Sequence, residues 1–231
     1  MDRCRGGHVA RWPQGSVGGL RRKRGLTHFK DTIALAITGA SGAAYALRLL
    51  ECLVQAQRRI WLLVSQPGRV VLSMETDLRL SGRPAEMTRQ LTARFAARPG
   101  QIEVFGATQW TAPLASGSSA PGAMVVCPCT TGTLAAVATG VSRSLLERAA
   151  DVMIKEGRRL ILVVRETPLS AIHLEHMLRL AQMGVVILPA SPGFYHGVRR
   201  VEDLVDFVVA RILDRLGIEH DLVARWGAGS P

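Results

Sequence analysis

The sequence predicts a doubly wound, Rossmann-like α/β fold in which a parallel sheet is sandwiched by helices. Three observations lead there. Short, almost wholly apolar, β-branched runs alternate with longer amphipathic stretches, and apolar strands separated by helices mean a parallel sheet covered on both faces. The turn Thr38-Gly39-Ala40-Ser41-Gly42 joins the first such run to the first amphipathic stretch, the strand-turn-helix order of nucleotide-binding sheets. A chain of 231 residues with 48% hydrophobic content is long enough for one full core and short for two large domains.

Residues 1–30 hold eight Lys or Arg against the single acid Asp2, so this segment carries +7 of the formal +11. It includes Arg21-Arg22-Lys23-Arg24 and no apolar run that could form a signal-peptide core, and it reads as a disordered basic extension outside a domain spanning 31–231. The other 201 residues carry only +4, which suits small anions and gives no expectation of nucleic acid. Strands are expected at Thr32–Thr38, Ile60–Ser65, Ile102–Phe105, Ala123–Cys127, Leu160–Val164 and Val185–Leu188. Helices are expected near 42–57, 66–75, 84–97, 131–138, 143–156, 170–182 and 201–216. The last places Val201, Leu204, Val205, Val208, Val209, Ile212 and Leu216 on one stripe. Between Gly106 and Gly122 no period is visible, and this long Trp110-bearing segment reads as a functional loop. The apolar runs fall far short of the ~20 residues that span a bilayer, so no membrane is expected. Cys4, Cys52, Cys127 and Cys129 are too few and too oddly spaced for a disulfide framework, which points to a reduced, cytoplasmic setting. Cys127 and Cys129 have no second ligand cluster to make a metal site, and His173 and His176, three apart, have no third ligand.

In this architecture ligands sit beyond the carboxyl ends of the strands. The turn after the first strand offers close backbone approach at Gly39 and Ala40, the Ser41 hydroxyl, and a helix start that attracts anions. A nicotinamide dehydrogenase is the first rival. It fails because Ala44 stands where a dinucleotide fingerprint has its third glycine, and because the second strand ends in Ser65 rather than an acid. A mononucleotide fits better. After the fourth strand, Thr130-Thr131-Gly132-Thr133 form a second hydroxyl-rich turn, each Thr also being a plausible helix cap. After the fifth, Arg165 offers a phosphate-binding guanidinium and Glu166 a proton-transfer group, with a local ion pair as the plainer alternative. After the sixth, Pro192-Gly193-Phe194-Tyr195-His196 brings an aromatic hydroxyl that could equally be packing.

Taken together, Ile37-Thr38-Gly39-Ala40-Ser41-Gly42, Val126-Cys127-Pro128-Cys129, Leu146-Glu147-Arg148-Ala149-Ala150-Asp151-Val152, Arg165-Glu166-Thr167-Pro168-Leu169-Ser170 and Pro192-Gly193-Phe194-Tyr195-His196 resemble the UbiX-type flavin prenyltransferases, over nearly the whole chain from Thr32 to Trp226. The resemblance implies a flavoprotein-type fold that joins a dimethylallyl group from dimethylallyl monophosphate to reduced FMN. The product, prenylated FMN, is the cofactor of UbiD-type decarboxylases. It further implies FMN contacts at Gly39, Ala40, Ser41, Ser65, Thr130, Thr131, Gly132, Thr133 and Arg165, and prenyl-phosphate contacts at Lys155, Tyr195 and Arg211. Glu75, Trp110, Glu166 and Trp226 match positions of proton transfer or pocket shaping, with Ser41 a relay candidate. Without the resemblance, Glu75 would be read as a solvated helix end. Family members assemble as dodecamers with the site at subunit contacts, which would explain how Lys155 and Arg211, expected on helices, reach it. The reaction is expected to proceed without metal. Two rivals are carried: an FMN-dependent cysteine decarboxylase, whose Asn-bearing loop is absent here, and a non-catalytic flavin-binding protein, which would not need the prenyl-phosphate set.

Overall fold

A computed structural model describes Phe29 and residues 31–224. Expectations for residues 1–28, and for Trp226, lie outside the described residues. The elements run β1 (Thr32–Ile37), α1 (Ala43–Gln55), β2 (Arg59–Val64), α2 (Gln66–Glu75), α3 (Pro84–Arg94), β3 (Ile102–Phe105), β4 (Ala123–Cys129), α4 (Thr131–Thr139), α5 (Leu145–Lys155), β5 (Arg159–Val164), α6 (Ala171–Gln182), β6 (Val186–Ile187) and α7 (Val201–Leu216).

All pairings are parallel and the strand order is β3-β2-β1-β4-β5-β6. The order reverses between β1 and β4, which makes the carboxyl ends of these two central strands the switch point where a doubly wound sheet binds its ligand. Every residue of β1 and β4 is buried, because helices pack on both faces. One face, with Leu35, Ile37, Leu62 and Val125, is closed by α1 and α7 through Leu49, Leu53, Val208 and Ile212. The other, with Ala34, Ala36, Trp61 and Val126, is closed by α4, α5 and α6 through Leu134, Ala149, Met153 and Leu180. Two such apolar layers supply the dominant folding drive. Arg48 of α1 bridges Asp206 of α7 at 2.6 Å across the first of them.

Several local expectations change. Strand β4 continues two residues past the expected end, through the cis Cys127–Pro128 peptide, with a register shift against β5 between Val126 and Cys129. Strand β6 is reduced to two residues. Val201, counted on the apolar stripe of α7, is 70% exposed, while Leu213 takes a core position. The segment from Gly106 to Gly122 is not structureless: it contains 3₁₀ turns at Pro113–Ala115 and Gly117–Ser119. It buries Ala112 and Leu114 and receives a hydrogen bond from Arg148 Nε at the Ala115 carbonyl, 3.2 Å. Phe29, assigned to the extension, already belongs to the domain: its carbonyl accepts from the Thr32 and Gly122 amides and its ring lies 5.5 Å from Trp61.

Candidate functional site

Three loops meet at the carboxyl end of β1. The first is the turn from Thr38 to Gly42. Gly39 must lack a side chain, since a Cβ there would lie 2.5 Å from the Pro67 Cβ, and Gly42 has φ +116°, outside the range of L-residues. The second begins at Ser65, whose amide bonds the Ile37 carbonyl at 3.0 Å and whose Oγ accepts from the Gly68 amide, capping α2. The third begins at Thr130, whose Oγ1 accepts from the Thr133 amide at 3.1 Å and caps α4. The second and third loops are thus fixed by local capping chemistry, and the first by its glycines.

Glu75, from the last turn of α2, crosses to the start of α1. Its Oε2 accepts from the amides of Gly42 at 2.9 Å and Ala43 at 2.8 Å. Helix α1 has no capping side chain of its own and no acid in its first turn, so a carboxylate from another element satisfies its orphan donors and faces its positive end. Partial burial pushes the Glu75 carboxyl up, but hydrogen bonding from Ser41 and the two amides, with the Arg165 charge, outweighs this and leaves its pKa lowered. Of the N–H groups expected to face an anion here, those of Gly42 and Ala43 are committed to this carboxylate, while Gly39, Ala40 and Ser41 precede them in the turn. At the start of α4 the first-turn amides of Thr131 and Gly132 have no intrahelical acceptor, which suits that helix end to an anion. Thr133 and Ser65 line a cleft of about 90 Å³ beside it, together with Ala107, Ser144 and Glu147. Ser144 and Glu147, which the sequence reading did not single out, line this cleft while capping α5; their capping box was the available signal.

Arg165 follows β5, its amide bonded to the Cys129 carbonyl at 3.2 Å. Its Nε is buried with no protein partner among the described residues, as expected of a guanidinium kept for a ligand. Glu166 is half-buried beside it, its Oε1 accepting from the Thr167 amide at 3.1 Å. The plain ion-pair alternative for these two residues is not what the structure shows. Ser170 caps α6 in a reciprocal box with His173, which gives that histidine a structural task. Ser41, Glu75, Thr130, Thr131, Thr133, Arg165 and Glu166 therefore share one edge of the sheet.

The remaining residues stand apart within one chain. Tyr195 lies past β6 with its ring 5.8 Å from Phe207, and Arg211, one turn along α7 from Phe207, lines a cleft of about 180 Å³ with Pro189 and Ser191. Arg211 is bound to Asp214 at 2.8 Å. Trp110, 48% exposed, follows β3 at the other lateral end of the sheet. Lys155 ends α5, and β5 lies between it and Arg165; it is paired with Glu156 against Gly117 at the opposite edge.

A parallel sheet with hydroxyls and helix-start amides at its switch point, and beside them an arginine whose buried Nε has no protein partner among the described residues, fits a phosphate-ester-binding α/β protein of mononucleotide type. The comparisons narrow this class. The Flavoprotein family model matches residues 22–213. A Pseudomonas aeruginosa protein named flavin prenyltransferase UbiX is 59% identical over 197 residues, covering 85% of this chain and 94% of the relative. A UbiX of Halalkalibacterium halodurans is 45% identical, covering 87% and 96%. Among solved structures, a UbiX in complex with FMN and dimethylallyl pyrophosphate matches with TM-score 0.76 at 37% identity, covering 86% of this chain and 98% of that one. A dodecameric FMN-dependent UbiX-like decarboxylase from Escherichia coli matches with TM-score 0.76 at 37% identity, covering 85% and 100%. FMN-dependent cysteine decarboxylases match at 12% and 14% identity with TM-scores of 0.51 and 0.52, which shows a shared fold alone. The chain belongs to the flavoprotein family, in its UbiX-type flavin prenyltransferase group.

Proposed function

We infer that this chain is a flavin prenyltransferase, which transfers the dimethylallyl group of dimethylallyl monophosphate to reduced FMN and releases prenylated FMN. The observation that carries this reading is the convergence of Ser41, Glu75, Thr130–Thr133, Arg165 and Glu166 on one sheet edge, in a chain 59% identical to a flavin prenyltransferase over 85% of its length.

The donor set suits FMN. Gly39, Ala40 and Ser41 would line one wall, Ser65 and Thr130 to Thr133 would receive the phosphate end, and the buried Arg165 Nε supplies a positive donor without a competing protein acceptor. Reduced flavin, when bound, supplies the electron-rich ring that accepts the prenyl group. Breaking the C–O bond of the donor builds negative charge on its phosphate. Arg165 and Tyr195, with Lys155 and Arg211 delivered across a subunit contact, stabilise that charge. Trp110 gives the prenyl chain a dry, electron-rich wall. Glu166 is suited to take the proton lost as the new ring closes, and Ser41 with Glu75 to move a proton at the flavin's edge. We further propose a homododecamer, a cytoplasmic site of action, and delivery of the product to a UbiD-type decarboxylase.

The test is anaerobic incubation with reduced FMN and dimethylallyl monophosphate, with dimethylallyl pyrophosphate as a second donor, followed by mass spectrometry of the flavin. A mass gain of one C5 prenyl unit is expected with the monophosphate; FMN bound and recovered unchanged with both donors would refute the activity.

A further inference from the structure

We propose that Thr38 is a positioning residue that locks the two flavin-bearing loops to each other, a role that rests on the reading of this edge as the flavin site. Thr38 is the last residue before the Gly39 turn and is only 2% exposed, too deep to touch a ligand itself. It is one of three buried polar or charged residues among those described, and its hydroxyl is used in both senses. Oγ1 donates to the Pro128 carbonyl at 2.6 Å and accepts from the Thr130 amide at 2.9 Å. The Thr38 amide also donates to the Pro128 carbonyl, at 3.3 Å.

These bonds stand where the sheet no longer can. The β1–β4 ladder closes at Ala36 and Val126, and β4 shifts register immediately afterwards. Beyond that point, the Thr38 hydroxyl, beside its own amide on the same Pro128 carbonyl, carries the pairing forward to the residues where both loops start. The connection continues into the ligand-binding turn: Thr130, held by its amide, caps α4 through Oγ1 and donates to Thr133 Oγ1 at 2.9 Å. A chain of hydrogen bonds, passing through the Thr130 backbone amide, thus runs from the floor of the Gly39 turn to the start of α4. Only its Thr38 end is fully buried; Thr130 and Thr133 are half-buried. On the other side of Thr38, the Ile37 carbonyl anchors Ser65. Thr38 therefore sets the gap between the wall at Gly39–Ser41 and the anion seat at Thr130–Thr133. The donor-binding residues Tyr195 and Arg211 lie outside this chain of bonds.

Thr38→Val keeps the shape and removes the hydroxyl, leaving the Pro128 carbonyl and Thr130 amide each short of one partner; Thr38→Ser keeps the hydroxyl. For T38V, the expected results are FMN affinity reduced about tenfold, the scale of one buried hydrogen bond removed, and KM for dimethylallyl monophosphate within about twofold of wild type, since the groups that hold its phosphate are not in the network. T38S should restore FMN affinity to within about twofold. FMN binding by T38V at wild-type strength overturns the proposal, as does equal impairment of FMN affinity and donor KM. If T38V does not fold, T38S decides alone: a tenfold loss of FMN affinity with the hydroxyl retained means that Thr38 acts by packing, and near wild-type affinity supports the proposal. Failure of the wild-type protein to bind FMN would instead sink the underlying reading of the site.

Discussion

Glu75 carries its task because of where its carboxylate lands, not because of where it sits on its own helix. It is the last residue of α2 and mostly exposed, yet two amides of α1 and the Ser41 hydroxyl converge on it. Its pKa is lowered, so the unfolded chain binds the proton more readily than the folded one, and the associated stability rises with pH. That stability is present above the ordinary carboxylate pKa and is lost as acidification protonates the folded form. Glu75→Gln keeps an oxygen acceptor and removes the charge. Thermal midpoints of the two proteins should differ at neutral pH, the wild type being higher, and converge as the pH falls below about 4. A gap that stays constant down to about pH 3 would show that the charge at the start of α1 contributes nothing.

Among the elements, the α2 start and the Gly39 turn are built against each other. Gly39→Ala would press a methyl group onto Pro67, 2.5 Å away and at the first turn of α2. Overpacking of this kind costs about 1–3 kcal/mol, and we expect urea midpoints to fall and FMN binding to weaken together; an unchanged midpoint would mean that α2 moves aside freely. The same region shows what the sequence discloses and what it hides. Apolar runs such as Ile60–Val64 and the stripe of α7 announce their elements because burial on both faces leaves a visible period. The continuation of β4 through Pro128 is hidden, since a proline ordinarily argues against a central strand. Thr130 as a cap is legible from its position before a helix. Thr38 to Pro128 and Glu75 to Gly42 are not, being 90 and 33 residues apart with no local pattern that pairs them. Residues resembling the family's site were legible only as separate motifs, and the fold brings some of them together while leaving others remote.

At the scale of the whole molecule, that remoteness becomes a constraint. Trp110 and Tyr195 follow the two edge strands β3 and β6, about 24 Å apart at the usual strand spacing. Lys155 and Arg165 lie at opposite ends of β5, about 20 Å apart by strand rise. If one copy supplies Lys155 to the site holding another copy's Glu166, then Lys155→Ala and Glu166→Gln proteins, each inactive alone, should regain activity when dissociated and reassembled together. About a quarter of the sites in an equal mixture would be intact. No recovery in a verified mixed oligomer would place both residues in a single chain's site. Finally, neither apolar layer of the sheet draws on Gly39, Ser41 or Thr130 to Thr133. The flavin is therefore not a keystone. An enzyme whose nucleotide is also its merchandise must part with it once per turnover, and a core complete without that guest lets the emptied protein wait, still folded, for the next one.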